Sequence, residues 1–220
     1  MAIGNVAGGA TVAGGDGGAR IGVFVLSEHD LVRQGLVDLL TAEPDMVVVG
    51  AAATAEEGLP AMAASPPQVV LVDTQLPDSG GIAGCRQVRV LHPQVLCLLL
   101  TSFDDDEALF TAVMAGAAGY LIKEVGGSRL LDGIRAVAGG RLLLDAGVVG
   151  RLLDRLRHAG LDAYEEHLLE LVSRGSTDAQ IAQQLGRGAD EVTDDVTALT
   201  AKLAHRRREP EPGPPGAARH

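Results

Sequence analysis

From Ile21 to Ala138 the chain repeats one pattern, a short apolar run followed by an amphipathic stretch. Ile21–Leu26, Met46–Ala51, Gln68–Val72, Val95–Thr101 and Gly119–Ile122 read as strands. Asp30–Thr41, Ala55–Ala64, Gly81–Leu91, Asp104–Ala115 and Ser128–Ala138 carry apolar residues at helical spacing. In the first of these helices the predicted inner face is Leu31, Val32, Gly35, Leu36, Leu39 and Leu40. Thr54 stands where a helix N-cap is expected. Strands and helices that alternate in this way form a parallel sheet covered on both faces, with right-handed crossovers. The expected fold class is α/β, a doubly wound five-stranded parallel (flavodoxin-like) unit.

The rest of the chain is different. After Gly139-Gly140, the segment Ala146–His158 places Val148, Val149, Leu152, Leu153 and Leu156 at helical spacing, which predicts a linker helix. A helical block follows from Asp162 to about Ala204, split at Gly175 and again around Gly186–Gly188. The expected division is a disordered Gly/Ala-rich leader at 1–20, the α/β domain at 21–138, and a linker with a helix at 139–160. A small all-α domain at 161–204 and a disordered Arg- and Pro-rich tail at 205–220 complete it. A chain of 220 residues has room for this division into one domain of about 120–150 residues and a smaller one. No apolar run reaches the roughly 18 residues of a membrane span. Cys85 and Cys97 fall in a predicted helix and a predicted strand and read as small buried thiols, from which a cytoplasmic location follows.

Asp73 stands at the end of the apolar run Val69–Val72 and precedes a turn-forming loop. Open α/β sheets place their chemistry at such carboxyl ends. Two other strands end nearby in type: Leu98-Leu99-Leu100 runs into Thr101, and Gly119–Ile122 runs into Lys123. The chain has only two lysines, Lys123 and Lys202, against many arginines. A compact ammonium suits a point contact to a phosphoryl oxygen. An acid, a hydroxyl and an amine at successive strand ends therefore point to phosphoryl chemistry.

These residues carry a resemblance. Leu76-Pro77-Asp78, Leu100-Thr101-Ser102 and Gly116-Ala117-Ala118-Gly119-Tyr120-Leu121-Ile122-Lys123 make the chain similar to bacterial two-component response regulators of the NarL/FixJ type, in particular to actinobacterial dormancy-type regulators. Such proteins join a receiver domain to a LuxR-type helix-turn-helix domain. The resemblance spans roughly residues 21 to 203. It implies that Asp73 accepts a phosphoryl group from a sensor histidine kinase, that Thr101 and Tyr120 are the switch residues, and that Lys123 is the counter-ion. It also implies Mg²⁺, a homodimer and DNA as partners, and no enzyme activity as the protein's role. A phosphohydrolase of related topology would need a second acid two residues after the nucleophile, where this chain has Gln75.

The chain departs from the family at three places. The acidic pair that holds Mg²⁺ at the end of the first strand reads Ser27-Glu28. Glu28, Asp73 and the Gln75 backbone remain as metal ligands, so a weakened site is expected, because Mg²⁺ demands near-ideal octahedral geometry at about 2.0–2.1 Å. His29 reads as a half-exposed loop histidine, and Asp104-Asp105-Asp106-Glu107 as a charged helix start.

The second departure lies in the helix-turn-helix. Thr177–Leu185 matches the scanning helix, and Val192, Val196 and Leu199 keep the core spacing of the recognition helix. The DNA-contact positions are expected at Thr177, Gln180, Thr193, Thr197 and Lys202. Yet residues 161–205 hold nine acids against three bases, Arg174, Arg187 and Lys202. Glu191, Asp194 and Asp195 sit on the recognition helix itself. DNA affinity comes largely from neutralising phosphates with Lys and Arg, so carboxylates there oppose it. The family's fourth helix, which pairs two DNA-binding domains, is expected to be missing after Leu203. The rival reading is a phosphorylation-independent protein-interaction module that has lost DNA binding.

Overall fold

The computed structural model describes residues 12–13, 19–77, 80–102, 106–123, 126–144, 146–157 and 160–208. Asp78, Asp104 and Asp105, and residues 209–220 of the expected tail, lie outside the described residues. The strands are β1 (Val12–Ala13), β2 (Ala19–Leu26), β3 (Met46–Ala52), β4 (Val69–Asp73), β5 (Leu96–Thr101) and β6 (Gly119–Ile122). The helices around them are α1 (Asp30–Thr41), α2 (Ala55–Ala64), α3 (Gly80–Leu91), α4 (Asp106–Ala115) and α5 (Gly127–Ala138).

β2 to β6 pair in parallel in the order β3-β2-β4-β5-β6. Every residue of β4 is buried, because the central strand is covered on both faces. One apolar layer, with Phe24, Leu26, Met62, Val70, Val72, Cys85, Val88 and Leu99, lies on one side of the sheet. The other layer, with Val23, Val25, Leu71, Leu98, Leu100, Ile134 and Val137, lies on the opposite side. The alternation of Val69 to Val72 between these layers is the period of two expected of a strand. The order reverses beside β2 and β4, so their carboxyl ends border the crevice where doubly wound sheets bind ligands.

Three expectations change. Within the expected leader, β1 pairs antiparallel with the start of β2, Val12 opposite Arg20 and Ala13 opposite Ala19. Leu31 does not join the inner face of α1, being 87% exposed, and Gly35 is exposed too. α1 packs mainly against the edge strand β3, so only its last turns, ending in the buried Leu40, reach the core. Finally, the last helix continues into the expected tail.

That helix belongs to the C-terminal group: α6 (Ala146–Arg157), α7 (Ala163–Ser173), α8 (Asp178–Leu185) and α9 (Ala189–Arg208). α7 starts in a capping box between Asp162 and Glu165, and α8 in one between Thr177 and Gln180, which satisfy otherwise unpaired N–H groups. Gly186 ends α8 with φ +64°, a left-handed conformation that side chains disfavour. α9 runs 20 residues to Arg208, and no separate fourth helix follows among the described residues.

The two parts share one core. Leu109, Phe110, Val113 and Met114 of α4 pack with Leu152 and Leu156 of α6 and with Leu168, Leu169 and Val172 of α7. Ile181 of α8 and Val192, Val196 and Leu199 of α9 complete the same apolar cluster. α4 is thus buried on two sides: Ala112 and Ala115 face the sheet layer, while Phe110 and Met114 face the C-terminal helices. Its lack of a marked polar stripe follows from that position.

Candidate phosphoacceptor site

Asp73 closes β4 with its carboxylate fully buried. Three donors hold it. Lys123 Nζ lies 2.8 Å from Oδ2, and the Ser27 hydroxyl donates to the same oxygen over 3.0 Å. The Gln75 backbone N–H donates to Oδ1 over 3.0 Å. The sheet register explains the convergence. Asp73 sits opposite Leu100, one residue before Thr101, and Thr101 sits opposite Ile122, one residue before Lys123. The Thr101 carbonyl accepts from the Lys123 N–H (2.7 Å), which fixes the start of the Lys123 side chain at this rim. Thr101 is buried.

Ser27 follows β2 and is itself fully buried. Its hydroxyl gives Asp73 a hydrogen bond and no second charge. Glu28 does not join Asp73: its Oε1 lies 3.5 Å from His29 Nδ1, at a partly exposed position. His29 is about half exposed, as its sequence context suggested. Arg33 fastens this loop by donating to the Ser27 carbonyl (2.7 Å) and the Glu28 carbonyl (3.3 Å). Among the described residues no three His, Cys, Asp or Glu side chains gather as a metal cage.

Tyr120 is half-buried and touches both the sheet layer and the cluster shared with the C-terminal helices. It therefore lies between the sheet layer and the C-terminal helices. No signal in one sequence shows that bridging position.

The contact between the domains also holds an ion pair that the sequence reading missed. Arg86 of α3 pairs with Asp178, the first residue of α8, and donates to the Met114 carbonyl over 3.0 Å. The two side chains are 8% and 3% exposed. Asp178 Oδ2 accepts a further bond from the Thr193 hydroxyl of α9 (2.8 Å). Burial pulls the Arg86 guanidinium below its ordinary value, with Asp178 acting against that, and its Nε has no partner. Arg89, one turn on, donates to the Gly175 carbonyl. Its guanidinium lies over Gly116, whose φ of +62° already favours glycine and where any Cβ would collide with it. An arginine following Cys85 on an otherwise apolar helix face was the one available signal.

The expected DNA-contact residues are spread over different settings. Thr177 is buried as the α8 N-cap, and the Gln180 side chain completes that cap (2.8 Å to the Thr177 N–H). Thr193 is tied to Asp178, and Thr197 donates to the Thr193 carbonyl (2.8 Å). Lys202 Nζ is held by the Glu165 carboxylate at 2.6 and 2.7 Å. The acids of α9 are not all turned outward. Asp195 accepts from Tyr164 and from Arg187 (2.8 Å), and Glu191 lies 3.3 Å from Arg187. Arg187 also stacks 5.3 Å above the Tyr164 ring. Arg174 pairs with Glu170. Each of the three bases in residues 161–205 therefore already faces a carboxylate.

Comparison with known proteins bears on this geometry. The response regulator receiver domain family matches residues 23–135. The chain is 40% identical to the DNA-binding transcriptional activator DevR/DosR of Mycobacterium tuberculosis over 194 residues, covering 84% of this chain and 89% of that one. It is 32% identical to the transcriptional regulatory protein LiaR of Bacillus subtilis, covering 83% and 90%. A solved two-component response regulator of the LuxR family from Aurantimonas superposes with a TM-score of 0.55 at 26% identity, over 62% of this chain and 98% of that one. The relatives are transcriptional regulators. A parallel sheet flanked by helices and followed by four more helices agrees with them, and the chain belongs to the response regulators, as a NarL/FixJ-type member similar to DevR/DosR.

Proposed function

We propose that this protein is the output component of a two-component system, taking a phosphoryl group from a sensor histidine kinase onto Asp73 and regulating transcription through its C-terminal helices. One observation carries the reading: Asp73, Lys123 and the Thr101 backbone are knitted together at the carboxyl rim of the sheet. The Asp73 carboxylate attacks the phosphorus, and the bond to the donor's leaving group breaks. Lys123, already 2.8 Å from Oδ2, is placed to follow the transferred oxygens as a cation, and the Thr101 hydroxyl to donate a hydrogen bond to one of them. Because Asp73 is fully buried beneath Ser27 and Lys123, attack requires these two donors to part first. Tyr120, packed on both apolar clusters, is positioned to report the change to the helices.

The donor set fits a weak Mg²⁺ site. Asp73, Glu28 once turned from His29, and the Gln75 backbone would hold the ion, which would supply charge neutralisation on the phosphoryl oxygens. No helix among the described residues is long and apolar enough to cross a membrane. A cytoplasmic homodimer is the arrangement this function calls for.

In this reading the output is closed in the unphosphorylated chain: Thr177 is buried in the α8 N-cap, Thr193 is tied to Asp178, and Lys202 is engaged by Glu165. We therefore expect weak DNA binding by the unphosphorylated chain and a gain on treatment with a small phosphodonor. A mobility-shift titration across salt concentrations checks this. A transcription factor of this kind gives affinity that falls steeply with salt, because each neutralised phosphate releases a counter-ion. Absent binding in both states would favour the second reading, a protein-interaction module, which the pairing of Arg174, Arg187 and Lys202 with acids supports.

A further inference from the structure

Cys85 and Cys97 take no part in the phosphoacceptor site, yet they are placed together. Cys85 lies on α3 and Cys97 on β5, and both thiols are buried in the same apolar layer. The Cys85 Sγ donates to the Ala115 carbonyl (3.4 Å), and the Cys97 Sγ lies 3.7 Å from the Cys85 carbonyl. The two thiols, one on a helix and one on a strand, are thus neighbours in one layer, which is the proximity a disulfide would start from.

The pair is not symmetric. Burial pushes the Cys85 thiol up, but the hydrogen bond from Cys97 and the charges of Arg89 and Arg86 outweigh it and bring the thiol below its ordinary value. Cys97 is pushed well up, first by its hydrogen bond to Cys85 and then by burial. Cys85, with Arg86 beside it in the chain, is taken as the attacking thiol and Cys97 as the resolving one. Cys85 also sits directly before Arg86, which clasps Asp178 of α8, and Ala115 directly follows Met114, whose carbonyl holds Arg86.

We propose that Cys85 and Cys97 are an oxidisable pair that a hydroperoxide converts to an intramolecular disulfide, and that this modification loosens the Arg86–Asp178 clasp between the domains. In the first step the Cys85 thiolate attacks one peroxide oxygen, an S–O bond forms, the O–O bond breaks, and the alcohol or water leaves with the proton the thiol gave up. In the second, Cys97 sulfur attacks the Cys85 sulfenic acid, the S–S bond forms, the S–O bond breaks, and water leaves. Two thiols are oxidised by two electrons, and the peroxide is reduced. Afterwards neither sulfur carries a hydrogen. The Ala115 carbonyl at the end of α4 loses the bond from Cys85, and α3 is tied to β5. Arg86, gripping Met114 of α4 from α3, is the residue set between the two elements that shift.

The test uses the full chain and hydrogen peroxide as the probe. After treatment the protein is unfolded, alkylated and weighed, and hydrogen exchange of α8 is followed in parallel. The expected result is the loss of both free thiols within a single chain, a Cys85–Cys97 cross-linked peptide, and faster exchange in α8 that a dithiol reductant reverses. Cys97→Ala is expected to keep Cys85 as a trappable sulfenic acid and to leave α8 exchange as in the reduced protein. Two alkylatable cysteines after treatment of the wild type, or a cross-link only between chains, would overturn the modification site. A disulfide that leaves α8 exchange unchanged would overturn its link to the clasp.

Discussion

Asp178→Ala is expected to lower the stability of the docked chain by about 3–5 kcal/mol, the usual cost of removing one partner from a buried ion pair. Arg86 would keep its 8% exposed guanidinium without a counter-charge, and its Nε already lacks a partner. The Thr193 hydroxyl would lose its bond to Asp178, keeping only that to the Ala189 carbonyl (3.1 Å). Urea unfolding followed by circular dichroism measures the loss as a lower midpoint. Replacing both partners by apolar residues, Arg86→Met with Asp178→Leu, should recover most of it, since a well-packed apolar pair avoids the desolvation cost. A drop below about 1 kcal/mol in the single variant would mean that water reaches the pair and that the domains are not held by it.

The second large effect concerns the metal. Ser27→Asp would set a carboxylate where the hydroxyl now donates to Asp73 over 3.0 Å. Without metal two buried like charges repel, so the variant should be less stable than wild type in a chelator. With Mg²⁺ the same two carboxylates become ligands, and affinity should rise at least about tenfold, ~1.4 kcal/mol. Glu28→Ala in the wild-type background should move affinity the other way. Thermal unfolding against Mg²⁺ concentration reads both, because a ligand bound only by the folded state raises the midpoint. Equal Mg²⁺ dependence in wild type and Ser27→Asp would show that the Ser27 position does not limit the site.

Much of the fold was legible because its signals are local. The apolar run Val69–Val72 read as a buried strand, and Thr54 caps its helix where such a side chain is expected to. The convergence of the strand ends was legible for the same reason, since parallel strands in register bring Asp73, Thr101 and Lys123 to one rim. What stayed hidden depends on distant pairing. Leu31 looked like part of an inner face, but α1 lies over the edge strand and leaves it in solvent. The acids of α9 looked like charges facing a partner, but Asp195 and Glu191 are held by Arg187. A count of charges cannot show that each base has its acid. The Arg86–Asp178 pair joins residues 92 apart in the chain, and an arginine on an apolar helix face was its one local trace.

The account stands on Asp73 as the group that takes the phosphoryl. Incubating the full chain with a small phosphodonor and Mg²⁺, then weighing it and mapping its peptides, tests this directly. The expected result is one phosphoryl increment, on the peptide containing Asp73, that is absent from Asp73→Asn. An unmodified wild-type chain, or a label that persists in Asp73→Asn, would contradict it.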